Sequence, residues 1–400
     1  MTPLALTSFT ATSAIGRGLD ATYASLRALR SALAPCAFET VDLGTCIGEV
    51  AGVDAVALPP GLEEFECRNN RLAWLGLTQD DFAAAVEACA ARHGRARIGV
   101  FLGTSTSGIL ETELAYRRRD PASGALPAGF RYRGAHNTFS LAAFVQRALR
   151  LSGPAVVISS ACSSSAKAFA SAQRAIEAGV IEAAVVGGVD SLCLTTLYGF
   201  HSLQLVSARP CRPFDVSRDG ISIGEAAAFA LLERRPASLE GDAVLLVGAG
   251  ESSDAYHMSA PPPDGRGARA AMLRALAAAD LVSEDIEYIN FHGTGTPSND
   301  EAEGRAVASV LGSEVPGSST KGATGHTLGA AGALEAVICA LALRYGLMPG
   351  GVNTTEVDRA LPVSYLRENC RRPLSAVMSN SFGFGGSNCS LIFARADRSR

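Results

Sequence analysis

The chain has 400 residues, room for one large α/β domain or for two of about 200. Its 35 Lys and Arg against 39 Asp and Glu give a net charge of −4, which argues against a nucleic-acid protein with a basic face. With 48% hydrophobic and 18% charged residues, a large core is available and disorder is excluded.

The first 20 residues lack a basic start and a sustained apolar core, so they do not read as a signal peptide. Residues 97–102 (RIGVFL), 155–159 (AVVIS), 183–187 (AAVVG) and 227–232 (AAFALL) read as strands. Between the second and third of these, 163–179 has helical spacing and a terminal Gly. A polar, Pro-containing linker follows at 234–241. The pattern then resumes with strands at 244–247 and 286–291 and helices at 272–278 and 301–311. It closes with a hairpin, 376–380 and 389–393. Strand–helix alternation on both sides of one linker predicts an α/β fold in two halves, 1–241 and 242–400, although no sequence repeat relates them.

The longest apolar run, 330–342, is interrupted by Glu335, so no membrane span is expected. The ten cysteines are scattered with no CxxC pair. They read as reduced thiols of a cytoplasmic enzyme, mostly core filler, and not as disulfides or a metal site.

Four segments are richer in chemistry than in packing logic. In 158–166 (ISSACSSSA) a strand ends and a helix begins just after Cys162. A thiol there meets the positive end of a helix dipole and free backbone N–H groups, which favour thiolate. Taken alone it reads more readily as a small buried Cys beside a Ser-rich cap. In 290–300 (NFHGTGTPSND), His292 follows a strand, at the end where ligand sites of α/β sheets collect. Alone it could be a structural histidine, and Thr294 and Thr296 could bond a polar ligand arm or only brace the turn. Segment 318–335 (SSTKGATGHTLGAAGALE) sets Lys321 five residues before His326. Only two lysines, Lys167 and Lys321, stand in an Arg-rich chain, so a Lys here suggests a compact point charge. Segment 380–388 (NSFGFGGSN) lets backbone approach a ligand closely, with Phe382 and Phe384 as core or pocket lining.

In this order the four segments resemble the elongating β-ketoacyl–acyl-carrier-protein synthases. Residues 3–19 and 212–228 (RPFDVSRDGISIGEAAA) extend the resemblance over nearly the whole chain. It implies a thiolase-type fold of two similar halves in five layers, α-β-α-β-α, and a homodimer. By position, Cys162 matches the nucleophile, His292 and His326 the catalytic histidines, Lys321 the lysine beside them and Glu335 its charge partner. Phe384 matches the gate of the acyl pocket, and the N–H groups of Cys162 and Phe384 the oxyanion hole. Thr294 and Thr296 match residues meeting the phosphopantetheine arm of the acyl carrier protein. Ile109, Leu110 and Phe382 are candidates for the acyl pocket. Asn299 departs from the usual Gly, and 204–212 is short, which puts loop geometry in doubt rather than chemistry.

The resemblance implies transfer of an acyl group to Cys162, then decarboxylative condensation with malonyl-carrier, with no tightly bound cofactor and no metal. A chain-length-factor-like subunit shares the fold but lacks the cysteine; a thiolase would want a second reactive Cys near 383–388, and Cys389 lies just beyond. Such a subunit is the alternative partner, in a heterodimer. Residues 67–77, 103–109 and 198–215 resemble synthases of aryl-polyene and xanthomonadin-type pigment clusters. Candidate carrier-docking residues are Arg68 and Arg71, 117–119, and Arg209 with Arg212, the last also readable as an internal pairing residue.

Overall fold

The computed structural model describes residues 1–236, 239 and 243–398. The 241/242 boundary and part of the 234–241 linker lie outside them. The first half contributes β1 (Leu4–Ser13), β2 (Ile98–Gly103), β3 (Ala155–Ile158), β4 (Ala183–Asp190) and β5 (Ala226–Arg234). The second contributes β6 (Val244–Ser253), β7 (Tyr288–Asn290), β8 (Pro316–Ser318), β9 (Ala376–Gly383) and β10 (Ser387–Arg395). The order in space is β3-β2-β4-β5-β1 in one half and β8-β7-β9-β10-β6 in the other, where a two-residue strand, Ser364–Tyr365, adds in parallel outside β8. In each half the second strand pairs in parallel with the third and fourth, and the fifth runs antiparallel to its neighbours. The halves thus repeat one topology that the sequence does not display. They join where Leu4 and Ala5 of β1 pair with Leu246 and Leu245 of β6.

The helices used below are α1 (Arg68–Leu77), α2 (Phe82–His93), α3 (Ser140–Ala148), α4 (Ser164–Glu177), α5 (Arg266–Ala279), α6 (Pro297–Leu311) and α7 (Ala331–Tyr345). Strand alternation sorts them into layers. Ala183, Val185, Phe229 and Leu231 face α1, α2 and α3 in one apolar cluster. Ala184, Val186, Ala228 and Ala230 face the other way, onto α4 and α7. From the second half Val377, Leu391 and Phe393 close on the same two helices. Met378, Ile392 and Ile289 turn outward to α5 and α6. The result is five layers, α-β-α-β-α, with α4 and α7 at the centre.

Close approach at the centre requires glycine. A Cβ on Gly332 of α7 would stand 2.7 Å from Ala166 N of α4, and one on Gly103 would stand 2.3 Å from Ser165 N. Because α7 is covered on both sides, it is apolar all round except for Glu335, which pairs with Lys321, and Arg344 in its last turn. The run Leu328–Tyr345 has mean hydropathy 1.5 over 18 residues, which corrects the expectation that no segment reaches spanning length and composition. It is 89% buried between the sheets, as a central core helix is.

Element ends moved from expectation where capping decided them. The 301–311 helix starts at Pro297, with Pro in the first turn and Thr296 at the cap position. The 272–278 helix extends to Arg266–Ala279, and the 286–291 strand shortens to Tyr288–Asn290.

Candidate active site

Both halves send their loops from the C-terminal ends of β2, β3, β4, β7, β8 and β9 to one place, where ligand sites in such sheets form. Cys162 follows β3. Ala161 before it has φ 53°, the left-handed region, held by a serine lattice. Ser160 N–H donates to Ser164 Oγ at 2.9 Å, and Ser163 Oγ donates to Ser160 O at 2.9 Å. The SSS run is therefore the scaffold of the turn and Cys162 its product.

Cys162 is 5% exposed, and its Sγ lies 3.0 Å from His326 Nε2. The backbone N–H of Phe384 also donates to this sulfur. His326 Nδ1 accepts the Leu328 N–H at 3.3 Å, so the neutral ring carries its proton on Nε2, toward the sulfur. His292 stands edge-on to His326, ring centroids 5.3 Å apart at 81°. Its Nδ1 is buried with no hydrogen-bond partner among the described residues. Lys321 Nζ donates to His292 O and pairs with Glu335 in a site 1% and 3% exposed, so the expected charge partner is the observed one.

Burial dominates the electrostatics. It pushes the Cys162 thiol up to about 12, against the pull of the Lys321 charge and the Phe384 N–H. The thiolate-favouring environment expected from a helix N-terminus is therefore outweighed by desolvation. Both histidines are held well below the usual imidazole range, first by burial and then by Lys321. Glu335 is pushed up to about 7 by burial, with Lys321 opposing.

Two residues overlooked in sequence shape the His292 loop. Glu303 accepts the N–H groups of His292 and Gly293 at 2.8 and 2.7 Å, and burial raises its carboxyl to about 7. Asp300 accepts those of Thr294 and Phe214 at 3.1 and 2.8 Å. Their signal was an i, i+3 acidic pair on α6, just after the HGTGT turn.

A narrow cleft, open to solvent, leads to the sulfur. Thr294, Thr296, Phe382 and Phe384 line it as expected, the two threonine hydroxyls bonded to each other at 2.8 Å. Phe200, Leu205 and Ile221 line it too and had not been singled out. Ile109 and Leu110 do not reach it. They pack behind it, in the cluster that contains Phe200 and Ile221.

The docking assignment of Arg68 is corrected. It is 4% exposed, on α1, in ion pairs with Glu225, Asp54 and Glu49 at 2.7, 2.8 and 3.1 Å. Arg71 is partly covered against Glu66, and Arg212 is buried against Asp219. Arg209 and 117–119 are exposed.

The sulfur of Cys162 and ring nitrogens of His292 and His326 lie within 4.8 Å of one another, a donor set with cation-binding chemistry beside the Lys321 charge. A second such set, Cys89, His93 and Glu233, already holds a cation, the Arg92 guanidinium at 2.6 Å from Glu233.

Residues 81–237 match the N-terminal domain of the beta-ketoacyl synthases and 243–355 their C-terminal domain. The chain is 38% identical over 266 residues to the mitochondrial 3-oxoacyl-[acyl-carrier-protein] synthase of Arabidopsis thaliana, covering 60% of this chain and 56% of that one. Against the 3-oxoacyl-[acyl-carrier-protein] synthase 2 of Rhizobium meliloti the share is 62% of each. The matches thus span less than two thirds of these relatives' length. Nodulation protein E of Rhizobium meliloti is 36% identical over 306 residues, 74% of this chain and 75% of its own. A ketosynthase from Xenorhabdus doucetiae, solved in complex with its chain length factor, superposes with a TM-score of 0.89 at 39% identity, covering 99% of this chain and 98% of that one. With its topology, its Cys–His–His cluster and these matches, the chain belongs to the β-ketoacyl synthase family.

Proposed function

We propose that the protein is an elongating 3-oxoacyl-acyl-carrier-protein synthase. The observation that carries this is Cys162 Sγ at the foot of the cavity, 3.0 Å from His326 Nε2 and bonded by the Phe384 N–H, with His292 alongside. Cys162 attacks the thioester of an acyl-carrier; the carbonyl–sulfur bond to the phosphopantetheine arm breaks and the carrier leaves as its thiol. The arm lies along Thr294 and Thr296. Because the resting thiol is pushed up, its proton leaves as the new bond forms.

Malonyl-carrier then loses CO₂, and the electrons of the broken bond pass to an enolate whose oxygen accepts from the Nε2–H of His326 and from His292. The carbanion attacks the acyl-Cys162 carbonyl. The tetrahedral oxyanion accepts the N–H groups of Cys162 and Phe384, then collapses to 3-oxoacyl-carrier and free Cys162. Each donor of this kind is worth about 10²–10³ in rate. Lys321, next to both rings, offsets the negative charge of the enolate and keeps the imidazoles neutral. The residues do this with neither a metal nor a tightly bound cofactor.

The working unit proposed is a dimer, with a second copy or with a chain-length-factor-like subunit. β3 ends the sheet order and its Ala155–Ile158 side chains are half-buried, an apolar edge ready to pair. The likeness to a ketosynthase solved in complex with its chain length factor supports the second form of dimer, and the residues at 67–77, 103–109 and 198–215 support a specialised pigment-type polyene pathway. A cytoplasmic location goes with this reading.

The test is intact-mass measurement after incubation with a panel of acyl-carriers, followed by malonyl-carrier decarboxylation. An acyl adduct on Cys162 and release of CO₂ support the reading. An unmodified protein identifies a chain-length-factor-like subunit, and acyl transfer to coenzyme A without decarboxylation identifies a thiolase.

A further inference from the structure

Asp190, the last residue of β4, is fully buried at the meeting of three loops. Its Oδ1 accepts Thr104 Oγ1 at 2.7 Å, Ser105 N–H at 2.8 Å, and Thr106 N–H and Oγ1 at 2.9 Å each. Its Oδ2 accepts Ser105 N–H at 3.0 Å and Gly329 N–H at 2.6 Å. Three of these donors are backbone N–H groups, which can only donate, and they engage both oxygens. Burial pushes this carboxyl up and the hydroxyl and N–H donors pull it back toward the carboxylate; among the described residues it has no cationic partner.

The Gly329 bond is the one that reaches the chemistry. The residue before it, Leu328, is held at φ 51°, a left-handed conformation that strains a branched residue. The N–H of Leu328 in that conformation is the one donated to His326 Nδ1. If the peptide relaxed, Nδ1 would lose its donor and the ring could carry its proton on either nitrogen. The approach of Asp190 to Gly329 is also close enough to require glycine. A Cβ there would meet Asp190 Oδ2 and Ser105 Oγ at 2.8 Å each.

We propose that Asp190 is a positioning residue: by holding Gly329 it keeps the strained Leu328 peptide in place, and so fixes His326 as the Nε2–H tautomer aimed at Cys162. It touches no substrate. The same carboxylate ties down the 103–109 loop, so the His326 turn and the loop beside Cys162 are locked by one group. The consequence for the reaction rests on the synthase reading above; the tautomer itself does not.

The experiment is ¹⁵N NMR of the histidine rings, in parallel with malonyl-carrier decarboxylation. Wild type should give an unprotonated Nδ1 and a protonated Nε2 for His326. Asp190→Asn keeps the shape but turns a second donor toward one of the N–H groups. It should mix the tautomers and lower kcat for decarboxylation at least tenfold, with KM changed less than twofold. Gly329→Ala, which pushes the carboxylate off the turn, should do the same, and stands in if Asp190→Asn does not fold. Thr106→Val removes a hydroxyl from the other oxygen, so it should lower thermal stability yet leave tautomer and kcat unchanged. A pure Nε2–H signal in both Asp190→Asn and Gly329→Ala overturns the proposal, as does a tautomer shift in Thr106→Val. Absence of decarboxylation in wild type with the predicted tautomer pattern would sink the synthase reading and leave the role of Asp190 standing.

Discussion

At Cys162 the balance between a helix N-terminus and burial decides the resting state, and burial wins. The side chain waits as a thiol between a ring N–H and a backbone N–H, poised to become a thiolate only as the carbonyl carbon arrives. Cys162→Ala should abolish condensation, with a loss of at least 10³, while malonyl-carrier decarboxylation persists because the two rings remain; near-normal elongation by the variant would remove Cys162 from the role. His292→Ala and His326→Ala should each cut decarboxylation by about 10²–10³, and normal CO₂ release from both would undo the enolate assignment. The lowered histidines also fix a pH dependence. They stay neutral above their depressed values, so kcat for decarboxylation should run flat through pH 6.5, and an inflection there would mean ordinary, solvated imidazoles. For stability the sign follows from the unfolded chain, which takes up these protons below about 6.5 while the folded one does not. Stability is complete above that value and falls as pH drops. Glu303 and Glu335, raised to about 7, work in the opposite sense over part of the same window. The histidine contribution is therefore read as the change in pH slope between wild type and His326→Gln.

At the scale of elements, sequence was most informative where chemistry concentrates in one turn. Cys162, His292, Lys321, His326 and Phe384 each sit beside glycines or serines that only a tight turn after a strand would need, and all five converge. Arg68 shows why other assignments failed. As a sequence it is a cation near the start of a helix, but its partners Glu49, Asp54 and Glu225 arrive from another loop and from the start of β5. Arg68→Glu should therefore cost about 3–5 kcal/mol of stability, seen in the denaturant midpoint, by leaving Glu225 uncompensated. Arg209→Glu, on an exposed residue, should leave the midpoint alone and raise KM for carrier-bound substrate more than for a pantetheine mimic. Equal effects on both substrates would remove Arg209 from docking. Ile109 packs behind the cavity lined by Thr294 and Thr296, in one apolar cluster with Phe200 of the helix Leu194–Ser202, whose side chain does meet it. Phe200, whose ring centre lies 5.6 Å from that of Phe384, joins Ile109 as a candidate length determinant, and its place in the cavity wall sets the expected ranking. Phe200→Ala should lengthen the longest product by a few carbons, and Ile109→Ala by less, in a mass-spectrometric product profile. The reverse ranking would return the tunnel wall to Ile109.

Across the whole molecule, the edge strand β3 leads directly into the nucleophile turn. Substituting Val157→Lys should weaken assembly, measured by sedimentation, and lower acyl loading with it; an unchanged assembly state would place the subunit contact elsewhere. The internal repeat has a different bearing. An operation that carries β3 and α4 onto β8 and α7 carries the position of Cys162 onto the loop of Lys321 and His326. It also carries the 103–109 loop onto the His292 loop, and the end of β4 at Asp190 onto the end of β9 before Phe384. The two halves therefore present the same three turns to a common axis and fill them with different chemistry, one half supplying the thiol and one oxyanion N–H, the other the two imidazoles, the lysine and the second N–H. Symmetry in the scaffold is what allows asymmetry in the labour. Neither half, expressed alone, holds a complete set of reacting groups, and separately expressed halves that reassociate would regain activity only as the pair.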